Sequence, residues 1–312
     1  MIMEVFILGT GGMMPLPGRN LTSVLMRREG DLFLFDCGEG TQVSLRKLNL
    51  RWKKINKIFI SHTHADHITG LPGILMLSSQ VERSEPLTII GPPKIKEYVE
   101  SSRKVLDMYV NYEIIVEEIA EPEKPGIVYE DDQMVIRSVP LNHSKVCVGY
   151  ILEEKERPGV FFPDKARDAG VPVGPFWSQL QNGESVELED GRTVLPEDVM
   201  GESRKGRKFS FVTDTAFVPE LSKEVAGSDL FICEGMFDRS LQSSAREKKH
   251  LTSRQAAEIA SAAGGIKKMG LIHYSPRYTE KELKNLLREA KEVFPETFLT
   301  RDRMTIEIPF ED

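Results

Sequence analysis

The segment Ser61-His62-Thr63-His64-Ala65-Asp66-His67 contains three of the six histidines in the chain, with an aspartate among them. Imidazole and carboxylate groups together suit a divalent metal of borderline softness. On a helix, His62 and His64 would point about 200° apart, and on a strand His67 would face away from His62 and Asp66. All four side chains converge only if the chain leaves a strand and curls around a metal ion.

The residues on either side of this motif fit that geometry. Lys57-Ile58-Phe59-Ile60 has the composition of a buried strand, and after Gly70, Pro72 and Gly73 an apolar helical pattern covers residues 74–81. The motif is therefore expected on a strand-to-helix turn at the C-terminal end of a strand. Open sheets place their active sites at that edge.

The composition narrows the class of protein. The 312 residues are 40% hydrophobic and 29% charged, which predicts a soluble globular protein. No apolar run approaches the roughly 18 residues that a membrane span needs. The three cysteines, Cys37, Cys147 and Cys233, are too few and too scattered for a disulfide framework or a four-cysteine zinc module. They favour a reducing, cytoplasmic location. The net charge of −7 does not by itself indicate nucleic-acid binding, which would need local basic patches.

The His-x-His-x-Asp-His motif after a strand resembles the signature of the metallo-β-lactamase superfamily. The superfamily's other metal positions have counterparts in the same order: Asp36, His143, Asp214 and His273 each follow an apolar, strand-like run. The resemblance implies an α/β fold, a four-layer αββα sandwich. Residues 1–150 and 206–312 would form its catalytic domain, and residues 151–205 would form a protruding, substrate-binding arm.

The resemblance also implies two metal sites. His62, His64 and His143 would hold one ion, Asp66, His67 and His273 would hold the other, and Asp214 would bridge them. Asp36 is expected behind the ligands, where it would hold one of them or its loop. Two neighbouring cations stabilise the attacking and leaving oxygens of an in-line displacement. Zinc fits these nitrogen and oxygen ligands, and manganese or iron would fit as well.

Further segments resemble the tRNase Z (ribonuclease Z) branch, whose members trim the 3′ trailer from precursor tRNA. Pro15-Leu16-Pro17-Gly18-Arg19-Asn20 is similar to the P-x-K-x-R-N loop of that family, with Pro17 in place of the lysine. A dinucleotide-binding loop is excluded for this glycine-rich region because Pro15 and Pro17 interrupt the helix that it needs. The Ser-x-Arg-Tyr sequence after His273 is a second similarity. It adds Arg277 to Arg19 and Asn20 as a predicted RNA-binding residue.

His250 is the one histidine outside the predicted metal ligands. The family resemblance pairs it with Glu234, although the surrounding sequences, Cys233-Glu234-Gly235-Met236 and His250-Leu251-Thr252, depart from the family pattern. A leaving oxygen needs a proton, and a carboxylate beside an imidazole favours the protonated ring. His250 is thus the predicted proton donor, and Asp66 would serve as metal ligand and as orienter or base for the water. The alternative is that His250 is an ordinary exposed loop residue.

The segment between Ile151 and Phe209 is rich in proline and glycine but also contains Phe161, Phe162, Phe176 and Trp177. These aromatic residues favour a small structure of its own over a disordered linker. Residues 184–192 have the pattern of a hairpin. In the family, an arm at this place grips the tRNA elbow through a Gly-Pro motif, for which Gly174-Pro175 is the candidate.

Three basic runs accompany these motifs, at residues 46–57, 204–208 and 246–249. Each is either a solvated face or a set of phosphate contacts. The family resemblance implies a cytoplasmic endoribonuclease that cleaves precursor tRNA, leaving a 3′-hydroxyl on the tRNA and a 5′-phosphate on the trailer. A homodimer is expected from the resemblance alone. Two alternatives stay open: a small-molecule phosphodiesterase or arylsulfatase of the same fold, and a catalytically silent RNA-binding scaffold.

Overall fold

The computed structural model describes residues 2–81 and 83–311 and contains two seven-stranded sheets. The first sheet has the spatial order β16-β1-β2-β3-β4-β5-β6. Its strands are β1 (Met3–Gly9), β2 (Ser23–Arg28), β3 (Asp31–Phe35), β4 (Ile55–Phe59), β5 (Leu87–Gly91), β6 (Ile114–Glu118) and β16 (Thr305–Ile308).

The second sheet has the order β15-β14-β13-β12-β9-β8-β7. Its strands are β7 (Gly126–Glu130), β8 (Met134–Asn142), β9 (Val146–Glu154), β12 (Lys208–Val212), β13 (Leu230–Glu234), β14 (Lys268–Ile272) and β15 (Thr297–Leu299). The chain thus completes most of one sheet before it builds the other, and β16 returns to the first.

Helices cover the outer face of each sheet. The first sheet carries α1 (Thr41–Lys47), α2 (Ala65–Ile68), α3 (Leu71–Gln80) and α4 (Ile95–Val105). The second carries α8 (Leu221–Val225), α10 (Ser253–Ala263) and α11 (Leu283–Lys291). Helix α9 (Gln242–Lys248) packs through Ala245 against Met236 and Phe237. Short 3₁₀ turns lie at Trp52–Lys54 and Arg239–Leu241. In the part of the chain that the structure describes, no helix combines the length and apolar character needed to cross a bilayer.

The alternation of side chains along the strands explains these layers. Phe35, Phe59, Tyr150 and Phe211 point between the sheets, and the Phe35 and Phe59 rings stack with centroids 5.2 Å apart. Their strand neighbours, such as Leu34 and Ile58, point outward against the helices. Both faces of each sheet are therefore buried, and the predicted αββα sandwich is confirmed.

Strand direction gathers the candidate site at one edge. Strands β3 to β6 are parallel, as are β12 to β15. Strand β8 runs in the same sense as β12, because both are antiparallel to β9. The C-terminal ends of these strands consequently meet at one edge of the sandwich, where parallel sheets place their functional side chains.

The inserted arm leaves and rejoins the second sheet between β9 and β12. It contains α5 (Pro163–Asp168), α6 (Pro175–Gln181), the predicted hairpin as β10 (Val186–Glu187) and β11 (Thr193–Val194), and α7 (Pro196–Val199). A small core of its own includes Leu180, Val194 and Val199. Phe161, Phe176 and Trp177 pack against this core.

The root of the arm differs slightly from the sequence-based boundary. Residues 151–154, which the sequence assigned to the insertion, complete β9 in the sheet. Glu154 is buried between two guanidinium groups, 2.6 Å from Arg28 and 2.8 Å from Arg207. Burial alone would raise the pKa of Glu154, but the hydrogen bonds from Arg207 and Arg28 lower it, so the carboxylate stays charged. This ion cluster ties the root of the arm to the sandwich.

Candidate metal centre

The seven predicted metal ligands converge in two groups at the edge of the sandwich. The first group is His62, His64, His143 and Asp214, and the second is Asp66, His67 and His273. Within each group, one ligand atom from every residue lies within 4.8 Å of the others. The local fold explains this, because each segment follows directly on a strand: β4, β8, β12 or β14. A third group, which overlaps both, joins His250 to Asp214 and His273.

In the first group, ring nitrogens face one another at hydrogen-bond distance. His64 Nδ1 is 2.9 Å from His62 Nε2 and 3.1 Å from His143 Nε2. Asp214 Oδ2 lies 3.6 Å from His62 Nε2 and 3.7 Å from His143 Nε2. Three nitrogens and one carboxylate oxygen thus surround a common point.

The second group repeats this arrangement around the other oxygen of the same carboxylate. His67 Nε2 and His273 Nε2 are 3.2 Å apart, and Asp66 Oδ2 is 3.3 Å from His273 Nε2. Asp214 Oδ1 lies 3.3 Å from His67 Nε2 and 3.2 Å from His273 Nε2. Asp214 therefore presents one oxygen to each group, as a bridging ligand must.

Hydrogen bonds on the outer side fix which imidazole nitrogen carries a proton. Asp36 Oδ2 accepts from His67 Nδ1 at 2.7 Å and from Ser61 Oγ at 2.8 Å. Ser61 Oγ in turn lies 3.0 Å from His62 Nδ1 and accepts its proton. His143 Nδ1 donates to the backbone oxygen of Lys249 at 3.0 Å. The inward nitrogens of His62 and His143 are left with free lone pairs, which is the state that binds a metal. Burial alone would lower the pKa of His67, but Asp214 and Asp36 raise it well above its usual value, so His67 would give up its inward proton when it binds a metal.

Burial supports the same protonation state in the first group. The pKa of His62 is lowered well below its usual value, chiefly because burial disfavours the charged ring. Burial also lowers the pKa of His64 and of His143, and the nearby Asp214 only partly opposes this. Neutral imidazoles whose lone pairs point at one another do not attract each other. A cation placed between them would be stabilised by all of these lone pairs, so the donor set fits a metal ion.

Two backbone positions at the centre adopt left-handed conformations that side chains rarely take. Asp36 has φ 54° and His273 has φ 62°. The sharp turns at these strand ends aim the side chains at the cluster, and local strain of this kind concentrates at functional sites. Gly12 lies against the His273 ring so closely that a Cβ there would come within 2.6 Å of it.

His250 lies beside the centre with Glu234 behind it. His250 Nδ1 is 3.1 Å from Glu234 Oε2, and both residues are buried. Burial alone would lower the pKa of His250, but the charge and hydrogen bond of Glu234 raise it to about 9. The ring stacks against that of His273 with centroids 5.5 Å apart. The predicted pairing is thus present in the structure, and His250 is not an exposed loop residue.

The predicted RNA-binding residues lie in different environments. Arg19 is buried, and its guanidinium donates to Tyr278 O and to Glu280. The Asn20 amide donates to Gly40 O and to Ser44 Oγ. Both side chains are hydrogen-bonded to other parts of the protein. RNA contact by them remains a prediction.

The other three predicted RNA-binding residues are exposed. Arg277 donates to Ser275 Oγ and lies over the Phe237 ring, next to His250. Gly174 and Pro175 form the N-terminus of α6 in the arm, and Gly174 has open space around its Cα. All three are accessible to a substrate.

One of the three basic runs lies away from the centre. Residues 46–57 cover the end of α1, a 3₁₀ turn and the start of β4, whereas His62 follows the end of that strand. These cations are therefore at the opposite end of β4, and they are not phosphate contacts of the metal centre. The run at 246–249 ends α9 and leads directly into His250.

Sequence reasoning missed several residues that hold the centre in place. Ser61 links Asp36 to His62, and Thr213 Oγ1 donates to Asp214 Oδ1 at 2.7 Å. The Met13 backbone N–H donates to Asp66 Oδ2 at 2.6 Å. Ser61 and Thr213 are sequence neighbours of ligands, which was a usable signal. The Met13 contact joins residues far apart in sequence, and no local pattern indicates it.

Comparison with known proteins decides among branches of the fold. The chain is 66% identical to the ribonuclease Z of Treponema denticola over the full length of both proteins. It is 61% identical to the ribonuclease Z of Treponema pallidum over all of this chain and 99% of that one. This chain belongs to the ribonuclease Z family. The resemblance inferred from the motifs is confirmed.

Solved structures agree with this assignment to the ribonuclease Z family. The short form of human tRNase Z superposes with a TM-score of 0.72 at 27% identity, covering 98% of this chain and all of that one. The metallo-β-lactamase fold protein YhfI of Bacillus subtilis superposes with a TM-score of 0.67 at 19% identity over 98% of this chain and all of that one, and it supports the fold alone. Residues 3–114 also match the family described as anti-Pycsar protein Apyc1.

Proposed function

We propose that this ribonuclease Z family member is a metal-dependent endoribonuclease that removes the 3′ trailer from precursor tRNA. The observation that carries the proposal is the complete pair of His/Asp groups sharing Asp214, in a chain 66% identical to a ribonuclease Z. A catalytically silent scaffold would have no need to keep every ligand in converging geometry. The products would be a 3′-hydroxyl on the tRNA and a 5′-phosphate on the trailer.

Two divalent ions, which we propose to be zinc, would be held by the seven residues of the two groups. When bound, such ions supply electrostatic stabilisation of the phosphoryl oxygens and a nucleophilic water at neutral pH. Nitrogen donors dominate the first group, which suits zinc better than magnesium or calcium. Manganese or iron would also be accepted by these donors.

His250 would donate the proton that the leaving 3′ oxygen requires. Glu234 holds the ring in place and keeps it protonated, through the 3.1 Å contact to Nδ1. With Nδ1 turned toward Glu234, Nε2 is the nitrogen available to the substrate. Asp66 is held by the Met13 amide at 2.6 Å, which favours a role in orienting the attacking water over one as a mobile base.

The arm would bind the body of the tRNA at a distance from the chemistry. Residues 151–205 were predicted as a substrate-binding unit, and the folded part begins after β9 ends at Glu154. Acidic residues outnumber basic ones in this segment, so its net charge does not attract RNA. Contact would therefore come from the exposed tip around Gly174 and Pro175 and from local cations such as Arg167, which lies over the Trp177 ring.

Replacing the arm is expected to separate tRNA binding from chemistry. In the variant, Pro158 is joined to Ser203 by a short glycine-serine linker, which keeps Glu154 and its two arginine partners in the sandwich. The KM for precursor tRNA should rise by on the order of tenfold or more, because remote contacts are lost, while hydrolysis of a nitrophenyl phosphodiester changes little. Steady-state kinetics on both substrates measure this. Equal losses on both, in a folded variant, would make the arm part of the active site.

A homodimer is the proposed assembly. Exposed apolar side chains lie on three helices of one outer layer: Val43 on α1, Met76 on α3, and Val105, Leu106 and Tyr109 on or after α4. Apolar residues gathered on one outer layer mark an interaction surface. A reducing, cytoplasmic location is proposed from the three buried free cysteines, Cys37, Cys147 and Cys233.

Disrupting this apolar surface should give monomers. Tyr109→Asp together with Val105→Asp places two charges on it, and analytical ultracentrifugation should show about half the wild-type mass. The matched double variant Ile2→Asp, Ile127→Asp changes two exposed apolar residues elsewhere and should keep the wild-type mass. Unchanged sedimentation of the first variant would place the dimer contact on another surface.

Direct competition between substrates tests the proposed activity against the small-molecule alternative. The full-length protein is supplied with a 3′-extended precursor tRNA, a nitrophenyl phosphodiester and a nitrophenyl sulfate. We expect kcat/KM to be highest for the precursor by several orders of magnitude. A higher kcat/KM for either small ester would favour a phosphodiesterase or an arylsulfatase.

A further inference from the structure

Exposed large apolar residues lie on segments that contact or carry the proposed metal ligands. Met13 and Met14 are 58% and 54% exposed, Val146 is 52% exposed and Phe217 is 39% exposed. We call these four residues the apolar rim. Met13 and Met14 follow β1, Val146 is the first residue of β9, and Phe217 follows β12 on the loop that carries the proposed ligand Asp214.

One side of the rim is fixed to the second ligand group. The Met13 backbone N–H donates to Asp66 Oδ2 at 2.6 Å, and the neighbouring Gly12 lies against the His273 ring. Met13 itself has φ 66°, a left-handed turn that a hydrogen bond to the centre holds in place. Its thioether side chain is left in solvent beside the centre.

The other side is fixed to the first ligand group. The N–H of Ala216, which precedes Phe217, donates to Asn142 O at 2.8 Å, next to His143. Val146 is the strand partner of Asn142 across the β8–β9 turn. Phe217 thus follows a backbone contact beside the first ligand group, and Met13 makes a backbone contact with the second.

Two lysines beside the proposed ligand segments indicate what the rim binds. Lys145 Nζ is 2.8 Å from Thr63 O, and Lys249 Nζ is 3.2 Å from His143 O, so both ammonium groups lie next to ligand segments. Apolar surface for flat rings, with positive charge beside it, matches an unpaired nucleotide: a base to stack and a phosphate to neutralise. A purely apolar ligand would gain no electrostatic stabilisation from the two lysines.

We propose that Met13 and Phe217 hold the two unpaired bases on either side of the scissile phosphodiester. This inference rests on the proposed endoribonuclease function and adds the features of the RNA that the site selects. In-line attack by water is faster when the scissile phosphate is held in one position and orientation beside the attacking group. Bases resting on the two sides of the centre keep it in that state, and the contact is tolerant of base identity because every base has a π-face.

The test uses precursor tRNAs with an abasic nucleotide immediately 5′ or immediately 3′ of the scissile bond, beside the intact precursor. Phe217→Ala and Met13→Ala should each lower kcat/KM for the intact RNA by about 5- to 100-fold, the range of base stacking on a side chain. Each penalty should vanish on one of the two abasic RNAs, where the contact is already missing, and persist on the other. Met13→Ala keeps the backbone N–H that binds Asp66.

Two kinds of control variant accompany these substitutions: conservative changes at Phe217 and Met13, and a change far from the apolar rim. Phe217→Tyr and Met13→Leu retain the apolar surface and should stay within about twofold of wild type. Ile127→Ala removes an exposed apolar side chain on β7, far along the chain from the rim segments, and should change nothing. A penalty that is the same on all three RNAs, or no penalty at all, would overturn the proposal. If the wild-type protein cleaves none of the RNAs, the proposed function itself fails, which is a distinct outcome.

Discussion

Replacing His250 with alanine is expected to lower kcat on precursor tRNA by on the order of 10²- to 10⁴-fold, the usual contribution of a positioned general acid. The variant should retain both metals, because the seven proposed ligands do not include His250. Precursor tRNA should also bind nearly as before, since the ring is buried and contributes little surface. Single-turnover kinetics and a filter-binding measurement separate the two effects.

The leaving group gives a sharper version of this experiment. A nitrophenolate departs without help from an acid, so the loss in His250→Ala should be much smaller on a nitrophenyl phosphodiester than on RNA. Glu234→Gln should give a weaker form of the same phenotype, because Glu234 only charges and orients the ring. Its other oxygen accepts from the Thr215 N–H at 2.5 Å, a contact that the amide oxygen can keep. An equal loss on both substrates would instead give His250 a structural role.

Emptying the second ligand group is the other change with a large expected effect. In His67→Ala, bound metal should fall from about two ions per chain to about one, as measured by elemental analysis. Loss of one ion removes several kcal/mol of transition-state stabilisation, so kcat should fall on the order of 10³-fold or more. His250→Ala is the matched control, since it removes a buried imidazole from the same site and should keep both ions.

A second substitution guards against misfolding in that experiment. His67 also donates to the buried Asp36, so its loss disturbs the hydrogen bonds behind the ligands. Asp66→Asn leaves that contact intact, nearly preserves the shape of the side chain and should also reduce metal content toward one ion. Full metal content and full activity in both variants would show that these residues are not ligands.

The sequence predicted most of the centre because the ligands sit in local contexts that repeat one rule. Asp36, His143, Asp214 and His273 each follow a run of buried strand residues. Strand ends at one edge of a sandwich meet whatever their separation in sequence. The pairing of His250 with Glu234 was expected from the family resemblance, and the two side chains are in contact in the structure.

Features that depend on packing between distant segments could not be predicted in this way. RNA contact by Arg19 stays a prediction, and no local pattern indicated that the folded chain buries its guanidinium against Tyr278 and Glu280. The basic run at 46–57 suggested phosphate contacts, yet the direction of β4 carries it to the far end of the sheet from His62. The apolar rim is likewise assembled from segments that share no sequence pattern. The charge and composition of these segments do not determine which part of the folded protein each segment faces.

The chemistry of the cut ends tests the central claim most directly. A precursor tRNA with a labelled 3′ trailer is incubated with the protein, with the protein and a chelator, and with the chelated protein after zinc or manganese is restored. We expect a single cut after the tRNA body that leaves a 3′-hydroxyl on the tRNA and a 5′-phosphate on the trailer. The cut should be absent with chelator and should return with the metal. Cleavage that persists in chelator, or products that carry a 2′,3′-cyclic phosphate on the tRNA, would contradict the metal-dependent mechanism derived from this site.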